Sequence, residues 1–417
     1  MGNMQKTSAF CKVICAYIVI MIFGMLISNY FIVLNKTTTF WLVNVVGFVI
    51  FLGGYFVIQK SINVKALLLA IAFLLLSSLT LLFHSDHLFD DAKSIGLNIN
   101  ILVVAFSLTI FCNNPSKKEL SDYDLIIINR LILLIGFAST VYLFLFSTFS
   151  FSSIFNAGNI YTVALRSFFD NKNTFGIYSL FSIISGIYLI FKDKYKKITL
   201  LLLLSQLFSL IISFSRSALL LLFVFLFVFM ILALRTKNVF NIKEKNIFKF
   251  SVFVLLSITA FILLFYVFNY RFRDFVLRAI IRSDFGDAGR TNYWQRGVEL
   301  IDFNNLFDVI FGIGWSELNA SGYSYLHNIY VEIFVVGGLA KIVFYLFIVV
   351  YGFHLFFIKR YNKSLAELFG LSILLSYLLY GFLESQIIFE LGIAPFLFVL
   401  YIFVIPQNYN QSEKNEF

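Results

Sequence analysis

Twelve apolar runs, each close to the length needed to cross a bilayer, most strongly constrain what this chain can fold into. A transmembrane helix needs about 20 apolar residues to cross about 30 Å of hydrocarbon. The predicted spans are 12–34, 39–58, 66–84, 96–113, 125–146, 174–191, 198–214, 217–234, 250–269, 328–358, 365–383 and 391–405. We therefore expect an all-α polytopic membrane protein of about twelve transmembrane helices, forming one membrane domain over residues 1–417.

The composition excludes several other classes of protein. Of the 417 residues, 60% are hydrophobic and 13% are charged, whereas soluble domains are about half apolar and about one quarter charged. A soluble enzyme or a disordered chain is excluded, because a soluble fold of this length would lack the polar residues to cover its surface. The three cysteines have no C-x-x-C spacing, so neither a disulfide framework nor a zinc site is indicated.

The distribution of basic residues predicts the orientation in the membrane. With the N-terminus in the cytoplasm, 19 Lys and Arg residues fall on the inner side and 11 on the outer side. By the positive-inside rule, this predicts N-in and C-in topology. The net charge of +10 then indicates membrane lipids as partners and no nucleic acid.

The outer basic residues differ in kind from the inner ones. Eight of the 11 outer residues are arginine, whereas the inner ones are mainly lysine. Arginine suits bidentate contacts with phosphate, so the outer face is interpreted as a phosphate-handling surface. The alternative is that these arginines bind lipid headgroups.

Two outer loops are longer than simple connectors: residues 147–173 and the large extracytoplasmic loop 270–327. In the large loop, residues 271–282 predict an amphipathic helix and 291–302 predict a second short helix. A glycine-containing turn follows at 311–314. We expect this loop to carry much of the active site.

Four outer groups of residues are candidates for the site. Arg166, Lys172 and Asn173 precede a helix start and suit an anion or a sugar, although an ordinary polar helix start would look the same. Arg216 lies in the short 213–218 turn between two apolar helices, where contact with lipid headgroups is the alternative. The other two groups are Arg290 with Tyr293 and Trp294, and His327 with Asn328 and Tyr330.

Histidine is the side chain best suited to accept a proton near neutral pH, so His327 is a candidate base. A structural hydrogen-bonded role is the alternative. Glu332 follows one turn later, and Lys341 lies inside a predicted span, three residues past Gly337 and Gly338. A charge inside a span is a functional candidate, and a helix break at the two glycines would bring Lys341 to a cavity.

In this order, these groups resemble the Wzy-type O-antigen and capsular polysaccharide polymerases and the related O-antigen ligases. The resemblance extends from Arg166 to Gly338. It rests on Ser215-Arg216, on Arg290 with Tyr293-Trp294, on Gly312-Ile-Gly314, on His327-Asn328-x-Tyr330 before Gly337-Gly338, and on Arg278 with Gly289 after ten intervening residues. Ser217 stands where glycine is common in the family, and Arg166 and Gly176 are separated by nine residues instead of ten.

The resemblance implies a membrane glycosyltransferase in the bacterial cytoplasmic membrane, with its active site at the outer face. Its donor would be an oligosaccharide carried on undecaprenyl pyrophosphate. Arg216 and Arg290 would hold the departing pyrophosphate, and His327 would accept the proton of the acceptor hydroxyl. No cofactor and no metal are expected, because the sequence shows no outer carboxylate motif for a divalent ion. The implied auxiliary substrate-binding residues are Arg166, Lys172, Asn173, Arg278, Arg282, Tyr293, Trp294, Asn328 and Tyr330.

Polymerisation of lipid-linked repeat units into O-antigen or capsule is the expected reaction. Transfer of the glycan to lipid A–core by an O-antigen ligase is the first alternative. A flippase for lipid-linked oligosaccharides is the second, although no pair of inverted repeats is visible. A polymerase would also work with a chain-length regulator and a separate flippase as partners.

Overall fold

The architecture comes from a computed structural model. It describes residues 7–30, 46–47, 50, 53, 120–146, 167–169, 172–213, 215–235, 290–314, 318, 321, 326, 328–357, 364–382 and 393–408. Four predicted spans (39–58, 66–84, 96–113 and 250–269) lie wholly or mainly outside these residues, as does the amphipathic helix predicted at 271–282.

The regular elements of the described residues are all helical. They are α1 Ala9–Tyr30, α2 Asp122–Phe146, α3 Lys172–Lys192, α4 Lys196–Ile212, α5 Arg216–Arg235, α6 Arg290–Glu299, α7 Leu306–Phe311, α8 Ile329–Phe357, α9 Leu365–Tyr380, α10 Ile393–Val399, a π-helical turn Leu400–Val404 and α11 Ile405–Asn408. The second loop helix, expected at 291–302, is present as α6.

Five of these helices are long and apolar enough to cross a membrane: Ala9–Leu26 within α1, then α2, α3, α5, and Ile329–Phe356 within α8. Each coincides with a predicted span. Helix α9 is apolar but shorter, and α4 has 17 residues. The described part of the chain therefore agrees with a multi-pass helical membrane protein, while the total of twelve spans and the N-in topology stay predictions.

The chain divides into two compact units. The first comprises Met1–Leu131, Gly289–Lys359 and Phe369–Phe417, and the second comprises Ile132–Ala288 and Arg360–Leu368. Two helices contribute to both, because the boundaries fall within α2 and α9. The candidate residues before 289 belong to the second unit, and those from 290 onward belong to the first.

Small and polar side chains hold the helices of the second unit together. Gln206 on α4 donates from Nε2 to Thr140 Oγ1 on α2 at 3.1 Å, and Thr140 Oγ1 lies 2.6 Å from Ser209 Oγ. Gly136 leaves the space for this cluster, because an added Cβ would lie 2.6 Å from Gln206 Oε1. In lipid, interhelical hydrogen bonds and small residues replace the hydrophobic driving force that holds soluble helices together.

Helix α8 of the first unit contains a break. Gly338 has φ 59° and ψ −163°, outside the helical region. This is the break expected at Gly337 and Gly338, and only glycine adopts such backbone angles readily. The carbonyl of Val335 accepts from the amide of Ile313 at 2.9 Å, so a buried backbone group next to the break has a partner in another segment.

Candidate active site

The start of α3 packs against the turn between α4 and α5. An added Cβ on Gly176, in the first turn and a half of α3, would lie 2.5 Å from Ser215 Cβ and 3.0 Å from Ser213 Oγ. No real Cβ contact is that short, so the approach depends on glycine at 176. Through this contact the structure brings two of the four predicted groups, Lys172–Asn173 and the turn that carries Arg216, to the same end of the second unit.

The serines of the 213–217 segment define the turn before α5. Ser213 Oγ donates to the carbonyl of Leu210 at 2.7 Å and accepts from the amide of Ser215 at 3.2 Å. Ser215 Oγ lies 3.4 Å from Ser217 Oγ. Serine side chains commonly satisfy backbone groups at helix ends in this way. The turn therefore holds Arg216 as the first residue of α5, where its side chain is half-buried.

Both helices begin with a cation. Helix α3 starts at Lys172 and α5 starts at Arg216, and neither has an acidic residue in its first turn. The N-terminus of a helix carries a partial positive charge. Two such N-termini on packed helices, each with a basic side chain, form an arrangement suited to a multiply charged anion such as a pyrophosphate.

The segment just before α3 is anchored to the same unit. Ser167 has a positive φ of 53°, and its Oγ donates to the carbonyl of Ser139 at 2.7 Å. Phe169 is fully buried and its ring packs on Phe175 and Tyr178. These contacts attach the chain to α2 and α3 directly after Arg166, which itself lies outside the described residues.

The third predicted group lies on α6 in the first unit. Arg290 is the first residue of this helix. Tyr293 is 40% exposed, whereas Trp294 packs against an apolar cluster that includes Ile301, Ile313 and Leu326. Of the two aromatic residues, Tyr293 is therefore the one whose ring is open to a ligand, and the predicted sugar stacking of Trp294 would require its ring to leave this packing.

Asn328 and Tyr330, from the fourth group, both make contacts within the protein. Asn328 precedes α8 and its Oδ1 accepts from the amides of Tyr330 and Val331 at 3.0 and 3.2 Å, as a helix-capping residue does. Tyr330 donates its hydroxyl to the carbonyl of Leu378, and its ring packs on Phe382. Their predicted contacts with sugar stay predictions.

The residues on either side of His327 are held in place, although His327 lies outside the described residues. Leu326 is buried, and its amide donates to Glu332 Oε2 at 3.1 Å. Leu326 also contacts α6, where an added Cβ on Gly297 would lie 2.8 Å from it. The capping contacts of Asn328 fix the other side. The backbone on both sides of position 327 is thus attached to the start of α8.

Glu332 and Lys341 are two charged residues of this region that the four-group prediction did not assign to the site. Glu332 has 0% exposure. The aliphatic part of Lys341 lies over Gly337, and Glu332 interacts with Lys341 electrostatically. The signal in the sequence was the presence of both charges within one apolar run. Burying a carboxylate is costly unless it is paired or hydrogen-bonded. Here Glu332 Oε2 accepts from the amide of Leu326, while Oε1 has no hydrogen-bond partner within the described part of the chain.

The remaining predicted residues have no described position. Arg278 and Arg282, like Arg166 and His327, lie outside the described residues. Within the described ranges, no three His, Cys, Asp or Glu residues are grouped closely enough to hold a metal ion. Arg216 belongs to the second unit and Arg290 to the first.

Comparison with known families gives one match. The sequence model of a family described as O-antigen ligase matches residues 198–346. These residues are just over one third of the chain and include Arg216, Arg290 and His327, but not Lys172. No curated protein gives a significant match. Over residues 198–346 the chain is similar to the O-antigen ligase family.

Proposed function

We propose that this protein is a membrane glycosyltransferase that joins oligosaccharide repeat units carried on polyprenyl pyrophosphate. The packed N-termini of α3 and α5 carry this proposal, because each begins with a cation and Gly176 allows their close contact. An anion of high charge on an amphiphilic carrier is the ligand that such a site in a membrane protein would take. The reaction takes place at the outer face of the cytoplasmic membrane.

The chemical step needs charge stabilisation and a proton acceptor. An acceptor sugar hydroxyl attacks C1 of the donor sugar, the C1–O bond to the pyrophosphate breaks, and the pyrophosphate leaves with the electron pair. Arg216 and Arg290 stabilise the negative charge that develops on the leaving group. His327 takes the proton of the attacking hydroxyl. Lys172 and Asn173 hold the donor at the start of α3, and Tyr293 stacks on a sugar ring.

In the polymerase reaction, the acceptor is a second lipid-linked repeat unit. A second candidate is transfer of the glycan to lipid A–core, the acceptor of an O-antigen ligase, and O-antigen ligase is the description of the matching family. Both reactions use the same donor and release the same polyprenyl pyrophosphate. They differ only in the acceptor, so the acceptor decides between them.

Reconstitution in proteoliposomes tests the proposal. Purified protein is supplied with lipid-linked repeat units alone, or with these units and lipid A–core. Lengthening of the lipid-linked glycan without lipid A–core supports the polymerase, whereas transfer that requires lipid A–core supports the ligase. Movement of the units between leaflets without any new glycosidic bond identifies a flippase and contradicts the proposal.

A variant pair shows whether the proposed site carries the reaction. Arg216 and Arg235 lie at opposite ends of α5, so Arg216→Ala and Arg235→Ala remove the same side chain from the same helix. The proposal requires loss of glycan transfer only in Arg216→Ala. Equal rates of glycan transfer in the two variants would show that Arg216 is not part of the active site.

A further inference from the structure

Part of the segment between α6 and α8 contacts α8 far from the start of that helix. A loop that stayed outside the membrane would contact only the first turns of a spanning helix. Helix α8 begins at Ile329 and breaks at Gly338, nine residues later. At 1.5 Å per residue, this places the break about 14 Å along the helix. Counted from the start of α8, this distance is close to half the thickness of a hydrocarbon core, which is about 30 Å.

The turn after α7 contacts α8 at this level. An added Cβ on Gly312 would lie 2.5 Å from the amide nitrogen of Gly337, and one on Gly338 would lie 2.6 Å from the amide nitrogen of Gly312. The two backbones therefore touch at the break. The hydrogen bond from Ile313 to Val335 is at the same level.

The other end of the segment lies at the start of α8. Gly297 on α6 contacts Leu326, and Leu326 is bonded to Glu332 in the first turn of α8. Gly297 thus lies at the level of Leu326 and the start of α8, whereas Gly312 lies at the level of Gly338. Helix α7 belongs to the part of the chain between these two levels, the descending side.

The backbone of the descending side meets the requirement for a segment inside a membrane, where no water is present to satisfy free amides. Asn305 caps α7 by accepting from the amide of Phe307 at 3.1 Å. The amide of Gly312 donates to the carbonyl of Asp308 at 2.8 Å, and the amide of Ile313 donates to Val335. Asp308 is buried and accepts from Asn305 Nδ2 at 2.8 Å.

The exposed face of α7 is apolar. Leu306 is 73% exposed and Ile310 is 41% exposed, and residues four apart lie on one side of a helix. Exposed polar residues such as Asn304 precede the helix. At the level of the break, α8 itself exposes Leu339 and Val343, the latter by 65%. At the level of the break, α7 and α8 therefore both expose apolar side chains.

We propose that residues 306–313 form a re-entrant segment, and that Leu306 and Ile310 contact the acyl chains of the bilayer. The predicted extracytoplasmic loop 270–327 is then only partly outside the membrane. Asn304 and its polar neighbours mark the interface, and Gly312 marks the deepest point. Acyl chains are the partner because the depth of the Gly312–Gly338 contact places this face within the hydrocarbon. This proposal is independent of the proposed function.

Spin-label accessibility in proteoliposomes tests this. Cysteines are introduced at Leu306, Ile310, Asn304 and Val343, one at a time, in the full chain with its three native cysteines replaced by alanine, and each is labelled with a nitroxide. Oxygen concentrates in the bilayer core, whereas a polar nickel chelate stays in water. The expected result is that the Ile310 label matches Val343, with high oxygen and low nickel accessibility, while Asn304 is accessible to nickel.

Two results would overturn the proposal. Nickel accessibility at Leu306 and Ile310 equal to that at Asn304 would place the segment in water. Low accessibility of Ile310 to both reagents would mean that protein, a second copy or a partner, covers the face. The same cysteines, unlabelled, are also tested with a water-soluble maleimide in membrane vesicles. If the maleimide modifies Ile310→Cys as fast as Asn304→Cys, the segment lies in water and the proposal is contradicted. This second test avoids the bulky nitroxide label.

Discussion

The amide of Ile313, just after α7, donates to the carbonyl of Val335 in α8 at 2.9 Å. This bond joins the turn after α7 to the helical turn of α8 that precedes the break at Gly338. It exists because Gly312 and Gly338 let the two backbones touch. The stability of the first unit should therefore depend on these two glycines.

We expect Gly312→Ala and Gly338→Ala each to lower the free energy of unfolding by about 1–3 kcal/mol or more, because each puts a Cβ on a residue with positive φ. Each new Cβ would also meet backbone atoms that cannot move aside. The measurement is the thermal unfolding midpoint in detergent. Gly53→Ala is the control, since no atom lies within 4 Å of its added Cβ. Equal midpoints in all three variants would contradict the role of the break.

Gly176 should control glycan transfer through the contact between α3 and α5. In Gly176→Ala, the new Cβ meets Ser215 and must displace the turn that carries Arg216. We expect the variant to accumulate in the membrane but to make no long polymer, as judged by the ladder of surface glycan in a deletion strain. Gly186→Ala, on the same helix, meets only the flexible side chain of Leu203 at 3.1 Å and should keep the ladder.

A second substitution checks the cause of that loss. Ser215→Gly removes the Cβ and hydroxyl that the Gly176→Ala methyl group would meet, so the double variant should recover part of the activity. If the double variant is as inactive as Gly176→Ala, steric displacement of the turn is not the reason for the loss.

The sequence predicted the helices better than the contacts between them. The apolar runs indicate α2, α3, α5 and α8 because a membrane span depends on the length and composition of one local segment. The contact of Gly176 with Ser215 joins residues 39 positions apart, and it depends on how helices pack. Composition and periodicity carry no information on such packing.

The roles of individual side chains were harder to predict than the positions of the helices, because these roles also depend on packing between distant segments. Trp294 and Asn328 are residue types that suit sugar binding, and both lie close to candidate site residues in the sequence. In the structure Trp294 packs on an apolar cluster and Asn328 caps α8. Their alternative roles depend on neighbours that only the fold supplies, such as Ile301, Ile313 and the amide of Tyr330.

Arg216 should be required as a guanidinium and not only as a positive charge. We expect Arg216→Ala to lower the rate of glycan transfer by about 10²–10³-fold, the usual cost of removing one group that stabilises a developing charge. Arg216→Lys should recover little, because lysine cannot make the bidentate contact. The measurement is the initial rate with a lipid-linked repeat unit in proteoliposomes. A lysine variant with wild-type rate would show that the contact is not bidentate.

Arg290 and His327 should show the same loss if they act on the same reaction. Arg290→Ala and His327→Ala are expected to leave expression intact and to abolish chain extension. Wild-type ladders from these two variants together with Arg216→Ala would contradict the whole site assignment. Arg296→Ala is the matched control, because Arg296 is exposed and lies six residues further along α6 than Arg290.

Glu332 and Lys341 should be energetically coupled, because a buried carboxylate and a nearby ammonium group compensate each other. Glu332→Gln keeps an acceptor for the amide of Leu326 but removes the charge, and Lys341→Met keeps the aliphatic chain over Gly337 but removes the ammonium. We expect each single variant to be less stable than wild type. The double variant should be more stable than the sum of the single losses predicts, by about 0.5–3 kcal/mol. Unfolding midpoints of the four proteins in detergent measure this cycle, and strict additivity would show that the two charges act separately.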